Sequence, residues 1–220
     1  MNIDILIDNK YSFLNLWKYQ IKHTINKFNH RVRIFKYHKK VKKGDILLIL
    51  GCNKILGEAQ LKLHKFNLVI HPSKLPKGRG SAALIWEVLN NKKIFYLTMF
   101  NANNKIDNGD IFFYHKFTLK GHELHNEIRN VQAKETIKLI IKLLKCLKDN
   151  KIKPIKQKGS GTYLRKRTYK DSEIDPKKTI IEQFNLLRCC DNENYPAFFY
   201  NKKIKYIIKI FKENEIKKNI

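Results

Sequence analysis

The sequence has no stretch approaching the roughly 20 uncharged apolar residues that a membrane-spanning helix needs. Its longest apolar runs, such as Ile46 to Leu50, are strand-sized. After Met1-Asn2-Ile3-Asp4 there is no basic segment followed by an apolar one, so no signal peptide is expected. The expectation is a soluble, cytoplasmic chain without a membrane partner. Cysteine is sparse as well: Cys52, Cys146, Cys189 and Cys190 form no C-x-x-C pair. Adjacent Cys189 and Cys190 point different ways on a helix and suit neither zinc nor a routine disulfide. His122, Glu123 and His125 lack a third His or Cys at ligand spacing, so no metal is expected. Also missing are G-x-G-x-x-G and G-x-x-x-x-G-K-[ST], the cradles of dinucleotide pyrophosphate and of nucleoside triphosphates.

Acidic residues are few, 19 against 46 Lys and Arg, which leaves a formal charge of +27. Such a balance invites a nucleic-acid reading. Only seven of the basic residues are Arg, however, and the Lys residues are spread from Lys10 to Lys218. Lys, Ile and Asn together make up about two-fifths of the chain. These three share A/T-rich codons, so biased base composition accounts for the charge. Sequence-reading proteins favour clustered Arg for bidentate contacts. Nucleic acid is therefore not the expected partner.

What is present is enough for a globular core, with 43% apolar and 11% aromatic residues in 220. Strand signals at Ile3 to Ile7, Val32 to Phe35, Ile46 to Leu50 and Leu68 to His71 alternate with helical spacing at Phe13 to Phe28 and Leu56 to Lys65. A helix over Ser81 to Asn90, strands at Phe95 to Phe100 and Ile111 to Tyr114, and a long helix from Gly121 to about Leu147 follow. The series predicts an α/β fold with a Rossmann-like open, mostly parallel twisted sheet. Domain limits are read as 1–150 for this part, 151–162 for a linker rich in Gly and Pro, and 163–220 for a small C-terminal appendage. That appendage is expected to hold a helix from Pro176 to Arg188 and a hairpin at Ala197 to Tyr200 and Lys205 to Phe211. A frayed tail is expected from Lys212 onward.

Chemistry-bearing residues concentrate between Val69 and Ile111. His71 leaves the end of a buried strand, where open α/β sheets bind ligands. Asp107, 36 positions later, sits in an Asp-Asn-Gly turn before another strand. At the ends of neighbouring strands the two would make a general base and its orienting carboxylate. Residues alone leave the structural alternative open: a strand-end His is more often structural, and D-N-G is most often a turn.

The phrases H-P-S-K-L-P-K-G-R-G, W-E-V-L-N and I-D-N-G-D-I resemble the N10-formyltetrahydrofolate-dependent formyltransferases, whose pattern is N-x-H-x-S-x-L-P-x-x-R-G followed by a D-x-G-D-I turn. Beyond the linker, L-R-K-R-T-Y-K-D-S-E-I-D, E-Q-F-N-L-L-R and Y-P-A-F-F are similar to the segment that follows the catalytic domain in that family. The resemblance covers about residues 44 to 211. Within the family these phrases look most like the short sugar-nucleotide N-formyltransferases of pseudaminic-acid-type pathways.

The resemblance implies the formyltransferase fold, N10-formyltetrahydrofolate as co-substrate, and a nucleotide-linked amino sugar whose unprotonated amine attacks the formyl carbon. His71 would hydrogen-bond the developing oxyanion and move a proton, and Asp107 would orient and charge it. One departure is plain: the family Asn two residues before the His is Val69 here. Ser73, Lys77 or a backbone N–H are the candidate replacements for that oxyanion donor. Cys52, Asn53, Ile55, Leu56 and Asp110 correspond to the stretches that grip the pterin, with ordinary core packing an equal alternative for Ile55 and Leu56. For substrate contacts the candidates are Arg79, Trp86, Arg165, Arg167 and Arg188. Loop fixing competes with that role for Arg79, core packing for Trp86, and a solvated face for the others.

Three further readings stay open. Methionyl-tRNA formyltransferase is disfavoured because only about 60 residues follow the linker. Glycinamide ribonucleotide transformylase shares H-P-S-x-L-P but not the C-terminal phrases. A non-catalytic basic binding module would follow if Val69 marked a decayed site. A homodimer through the hairpin edge is an open arrangement.

Overall fold

A computed structural model describes residues 1–149 and 152–213. Most of the tail expected to fray therefore lies outside the described residues, as does the first linker position. Six strands form one mixed sheet: β1 (Asn2–Leu6), β2 (Arg31–Phe35), β3 (Ile46–Ile49), β4 (Phe66–His71), β6 (Ile94–Asn101) and β7 (Ile111–Thr118), in the order β2-β1-β3-β4-β6-β7. The first four run parallel, and β6 and β7 are antiparallel additions. This is the expected open, mostly parallel α/β sheet.

Side-chain alternation assigns the two faces. Ile3, Ile5, Ile46, Leu48, Leu68, Phe95, Leu97 and Met99 join the larger core under three helices. Those helices are α1 (Lys18–Asn26), α3 (Ala83–Leu89) and α4 (His125–Lys148). The opposite face carries smaller clusters, with Leu6, Leu47 and Ile49 in one and Leu75, Phe100 and Ile111 in another. The short helix α2 (Glu58–Leu61) and loops cover it. Each fully buried Leu, Ile or Phe contributes about 1.5–3 kcal/mol, so the thick side dominates stability and the thin side has room for loops with work to do.

Three helices are shorter than the periodicity predicts, each because side chains capture backbone groups. In place of a helix from Phe13, a 3-10 turn at Phe13–Asn15 is fixed by Ser12 Oγ accepting from Leu14 N–H and by Asn15 Nδ2 donating to the carbonyls of 9, 10 and 12. Leu16, expected on the apolar face, is 85% exposed. The helix expected over Leu56 to Lys65 stops after one turn, because the carbonyls of Leu61 and Leu63 accept from Asn67 Nδ2 and Gly44 N–H. The helix expected from Pro176 begins only at α5 (Phe184–Cys189). Ahead of it Glu182 accepts from Thr179 N–H and Gln183 Nε2 donates to the Asp175 carbonyl.

The C-terminal part holds α5 against α3 and the hairpin β9 (Ala197–Asn201) and β10 (Ile204–Ile208). The stretch read as a linker is no free connector. Ile155 exchanges backbone hydrogen bonds with Ile111, at 2.7 and 2.9 Å. Further on, β8 (Tyr163–Leu164) pairs in parallel with β5 (Arg79–Gly80). A Cβ at Gly80, where φ is +100°, would fall 2.4 Å from the Leu164 carbonyl oxygen, so only glycine permits this close pairing.

Candidate active site

His71 is the last residue of β4 and points, with Val69, to the thin face of the sheet. It is 6% exposed. Nε2 lies 2.7 Å from the Gly78 carbonyl oxygen. A carbonyl can only accept, so Nε2 carries the proton in this contact. Nδ1 faces Asp107 Oδ2 at 3.6 Å. A carboxylate at this position favours positive charge on the ring and fixes which nitrogen faces it.

The route by which Asp107 reaches His71 differs from the expectation of neighbouring strand ends. Because β6 is antiparallel to β4, its last residue Asn101 is paired with Leu68, three positions short of His71. Loop 102–110 doubles back along the thin face to close that gap. Asp107 takes φ +47° there, and its Oδ2 accepts from Gly80 N–H at 2.8 Å. Gly109 is forced by the same turn, since a Cβ would sit 1.6 Å from the Asn101 carbonyl oxygen.

The two side-chain replacements for the missing Asn fare differently. Ser73 is fully buried and spends its hydroxyl proton on the Lys77 carbonyl at 2.8 Å, so it is not an available oxyanion donor. Lys77 is exposed, and among the described residues its ammonium has no hydrogen bond or ion pair. Val69 packs with Leu75, Phe100 and Ile111.

At the ends of β1 and β3, Cys52 is half-buried with Sγ 3.4 Å from the Leu6 carbonyl oxygen. Burial pushes its thiol up to about 12, so it is a neutral wall rather than a nucleophile. Asn53 N–H donates to Asp8 Oδ1 at 2.9 Å, while Asp8 Oδ2 is buried without a hydrogen bond, 3.9 Å from His38 Nδ1. Leu56 is core and Ile55 is 57% exposed, which separates two residues the sequence left together. Asp110 is exposed, and its carbonyl accepts from Asn101 N–H.

The substrate-contact candidates are largely occupied within the chain. Trp86 is not a core residue: its Nε1–H donates to the Arg165 carbonyl at 3.0 Å, and the Arg165 guanidinium covers the ring at 4.8 Å. Arg165 also forms a two-point ion pair with Asp171, which holds that carboxyl below the usual carboxylate range. Arg167 donates to the Asp171 carbonyl at 2.8 Å. Arg188 is 5% exposed and bonds Asn185 Oδ1 and the Glu123 carbonyl, so the solvated face that competed with a substrate contact does not describe it. Arg79 binds Gln157 Oε1 at 2.7 Å, fixing a loop as expected, but through the linker rather than its own carbonyls.

Sequence reasoning missed three groups here: the Gly78 carbonyl, Gln157 and Glu87. The first two act through backbone geometry that no spacing announces. Glu87 is buried in α3 and bonded to Lys92 at 2.7 Å. Burial pushes its carboxyl up, offset in part by Lys92 and by nearby His71. Its place in a helical apolar stretch, W-E-V, was the available signal. Burial also pushes His125 down to about 4, and Glu123 is engaged by the N–H groups of Lys120 and Gly121. Among the described residues, no group of three or more His, Cys, Asp or Glu is placed to hold a metal ion.

Comparison with solved structures places the fold. A methionyl-tRNA formyltransferase from Clostridium thermocellum superposes with TM-score 0.77 at 22% identity, over 97% of this chain and 94% of that one. A 4-N formyltransferase from Francisella tularensis gives 0.76 at 20%, over 95% and 96%. HypX from Aquifex aeolicus, in complex with tetrahydrofolic acid, gives 0.79 at 16%, over 94% and 37%. The architecture is the formyltransferase fold. No protein-family model matches the chain. By sequence, the bifunctional polymyxin resistance protein ArnA of Wigglesworthia glossinidia brevipalpis is 30% identical over 213 residues, 92% of this chain and 32% of its own length. The methionyl-tRNA formyltransferase of Rickettsia massiliae is 30% identical over 171 residues, 75% and 55%. The chain thus spans about a third to a half of these relatives. In sequence it is similar to formyltransferases along most of its length.

Among the described residues no helix is long and apolar enough to cross a membrane.

Proposed function

We propose that this chain transfers a formyl group from N10-formyltetrahydrofolate to the amine of a nucleotide-linked amino sugar. The observation that carries the reading is the His71–Asp107 pair on the thin face of the sheet, with Nδ1 and Oδ2 3.6 Å apart and Nε2 protonated. When bound, the folate supplies the formyl group on N10. The residues at the ends of β1 and β3 fit such a group: Ile55 offers exposed apolar surface, Cys52 a neutral flank, and Asp8 a buried oxygen that makes no hydrogen bond within the chain. Leu56 supports that wall from the core. An apolar wall with a few fixed polar groups is what a flat, polar-edged heterocycle requires.

His71 performs the chain's part in the reaction. Its Nε2–H exchanges the Gly78 carbonyl for the formyl oxygen as negative charge gathers there, and Lys77, on the same loop, adds a cation. The amine nitrogen bonds to the formyl carbon, the bond from that carbon to N10 breaks, and the proton lost by the amine ends on N10 of the departing tetrahydrofolate. Asp107 favours positive charge on the ring as Nε2–H is shared with the oxyanion, and it fixes the ring's orientation. The enclosed position of His71 keeps bulk water from competing for these contacts.

The sugar reading is supported by the match in fold to the Francisella 4-N formyltransferase. A methionyl-tRNA substrate is the second reading, favoured by the Rickettsia and Clostridium relatives. Incubation with N10-formyltetrahydrofolate and either a panel of amino-sugar nucleotides or charged initiator tRNA, followed by mass analysis, separates the two. N-formylated sugar nucleotide supports the first, and formylated aminoacyl-tRNA alone replaces it with the second.

A further inference from the structure

Gly78 and Asp107, the two groups that face the His71 ring nitrogens, are both held by one segment outside the catalytic pair, residues 155–164. Gly78 N–H donates to Thr162 Oγ1 at 2.8 Å, and Arg79 N–H donates to the Thr162 carbonyl at 2.9 Å. The Gln157 amide does more. Its Nε2 donates to the carbonyls of Asp107 and Gly109, both at 2.9 Å, and its Oε1 accepts from the Arg79 guanidinium at 2.7 Å. Gln157 is half-buried within a stretch whose neighbours on both sides are exposed.

The loop it grips needs holding. Loop 102–110 doubles back from the start of β4 to its end, and Asp107 adopts a left-handed conformation. Such backbone costs about 1 kcal/mol or more for a non-glycine residue and persists where the surroundings over-determine it. A primary amide is the side chain that can donate two N–H bonds to two carbonyls while its oxygen accepts from a guanidinium. Neither a carboxylate nor a shorter alkyl group can do all three.

We propose that Gln157 is a positioning residue that sets the Asp107 carboxylate against His71 Nδ1. The inference rests on the reading of His71 and Asp107 as the formyl-transfer pair. It goes beyond that reading by giving the segment between the α/β part and the C-terminal hairpin a direct bearing on catalysis. Misplacement by about 1 Å of a group in the reacting set can cost about 10²-fold in rate.

The test compares wild type with Gln157→Glu and Gln157→Ala. Gln157→Glu keeps an acceptor for Arg79, so the segment stays anchored, but it cannot donate to the Asp107 and Gly109 carbonyls. Two readouts are taken: kcat and KM for formyl transfer, and the ¹⁵N shifts of the His71 ring, which report which nitrogen carries the proton. The expected result is a kcat at least about 10-fold lower in both variants with KM changed less than about 3-fold. The ring signals should depart from wild type in the same way as in Asp107→Asn. Wild-type kcat or wild-type ring signals in Gln157→Glu would overturn the proposal. The spectra need no turnover: if the wild type made no formylated product, the functional reading would fall while the ring signals still decided the role of Gln157.

Discussion

Nδ1 of His71 lies 3.6 Å from Oδ2 of Asp107, although the strand leading to Asp107 ends beside Leu68, near the start of the strand that ends at His71. The pair is therefore a product of tertiary closure. It depends on loop 102–110 returning over the thin face, on Gly80 N–H receiving the carboxylate, and on Gln157 clamping the loop from outside. Each of these contacts can be removed separately.

His71→Ala should lower kcat/KM by about 10³-fold or more, because it removes both the donor to the formyl oxygen and the group that takes up the charge. Binding of a non-reactive folate analogue should stay within a few-fold, since the pterin wall proposed at Cys52 and Ile55 lies at other strand ends. Calorimetric titration and steady-state rates check both halves, and near-normal turnover would take His71 out of the mechanism.

Asp107→Asn keeps the shape and tolerates the left-handed backbone, but it cannot stabilise positive charge on the ring. A fall of at least about 100-fold, mainly in kcat, is expected, with an unchanged melting temperature. Full activity in this variant would leave Glu87 as the carboxylate to test, because it too is buried within electrostatic reach of His71.

The parallel strands, the long helix and the position of His71 were legible in the sequence because buried runs such as Ile46 to Leu50 leave few alternatives. The motif likeness made Asp107 legible, but not its route: the spacing of 36 residues says nothing about the direction of β6. Ser73 looked like a free hydroxyl and proved to be a turn-fixing one, because hydroxyl partners are set by backbone geometry. The partners of the arginines were hidden for the same reason. Arg165 and Arg188 read as substrate-contact candidates, yet Arg165 is paired with Asp171, and Arg188 with Glu123, which lies 65 positions away and is close only after folding. Gln157 lay in a stretch whose Gly and Ser residues signalled a linker, and a single polar side chain offers no periodicity to contradict that.

Buried Asp4 and His64, joined by the part-exposed Arg33, give the fold an acid-sensitive anchor. Asp4 is fully buried, accepting from His64 Nε2 at 2.8 Å and from Arg33 at 2.8 and 2.7 Å. Burial opposes ionisation, but His64 and Arg33 outweigh it and hold the Asp4 carboxyl below the usual carboxylate range. A folded pKa below the unfolded value of about 3.9 means stability that is present above about pH 4 and lost as pH falls through the folded value. Asp4→Asn should cost about 1–3 kcal/mol at neutral pH, the range for losing hydrogen bonds to a charged group, and should flatten the acid limb. Urea unfolding at neutral pH and at successively lower pH reads both; an unchanged acid limb would contradict the assignment.

The hairpin turn carries a correctable strain. Lys202 and Lys203, the two loop residues between β9 and β10, have φ of +46° and +67°, the left-handed pair of a tight hairpin turn that favours Asn-Gly. Replacing them by Asn and Gly should stabilise the chain by about 1 kcal/mol without altering kcat. A raised denaturation midpoint at constant slope is the expected reading, and a lowered one would mean that the lysines make contacts of their own.

The most direct measurement is the mass of an amino-sugar nucleotide after incubation with N10-formyltetrahydrofolate and the wild-type protein, run beside the Asp107→Asn variant. The account predicts one formyl group gained on the sugar amine with wild type, and at least about 100-fold slower gain with the variant. Formylation at equal rates by both proteins would contradict the role of the pair. Absence of product across the sugar panel, with formylation of charged initiator tRNA, would contradict the substrate.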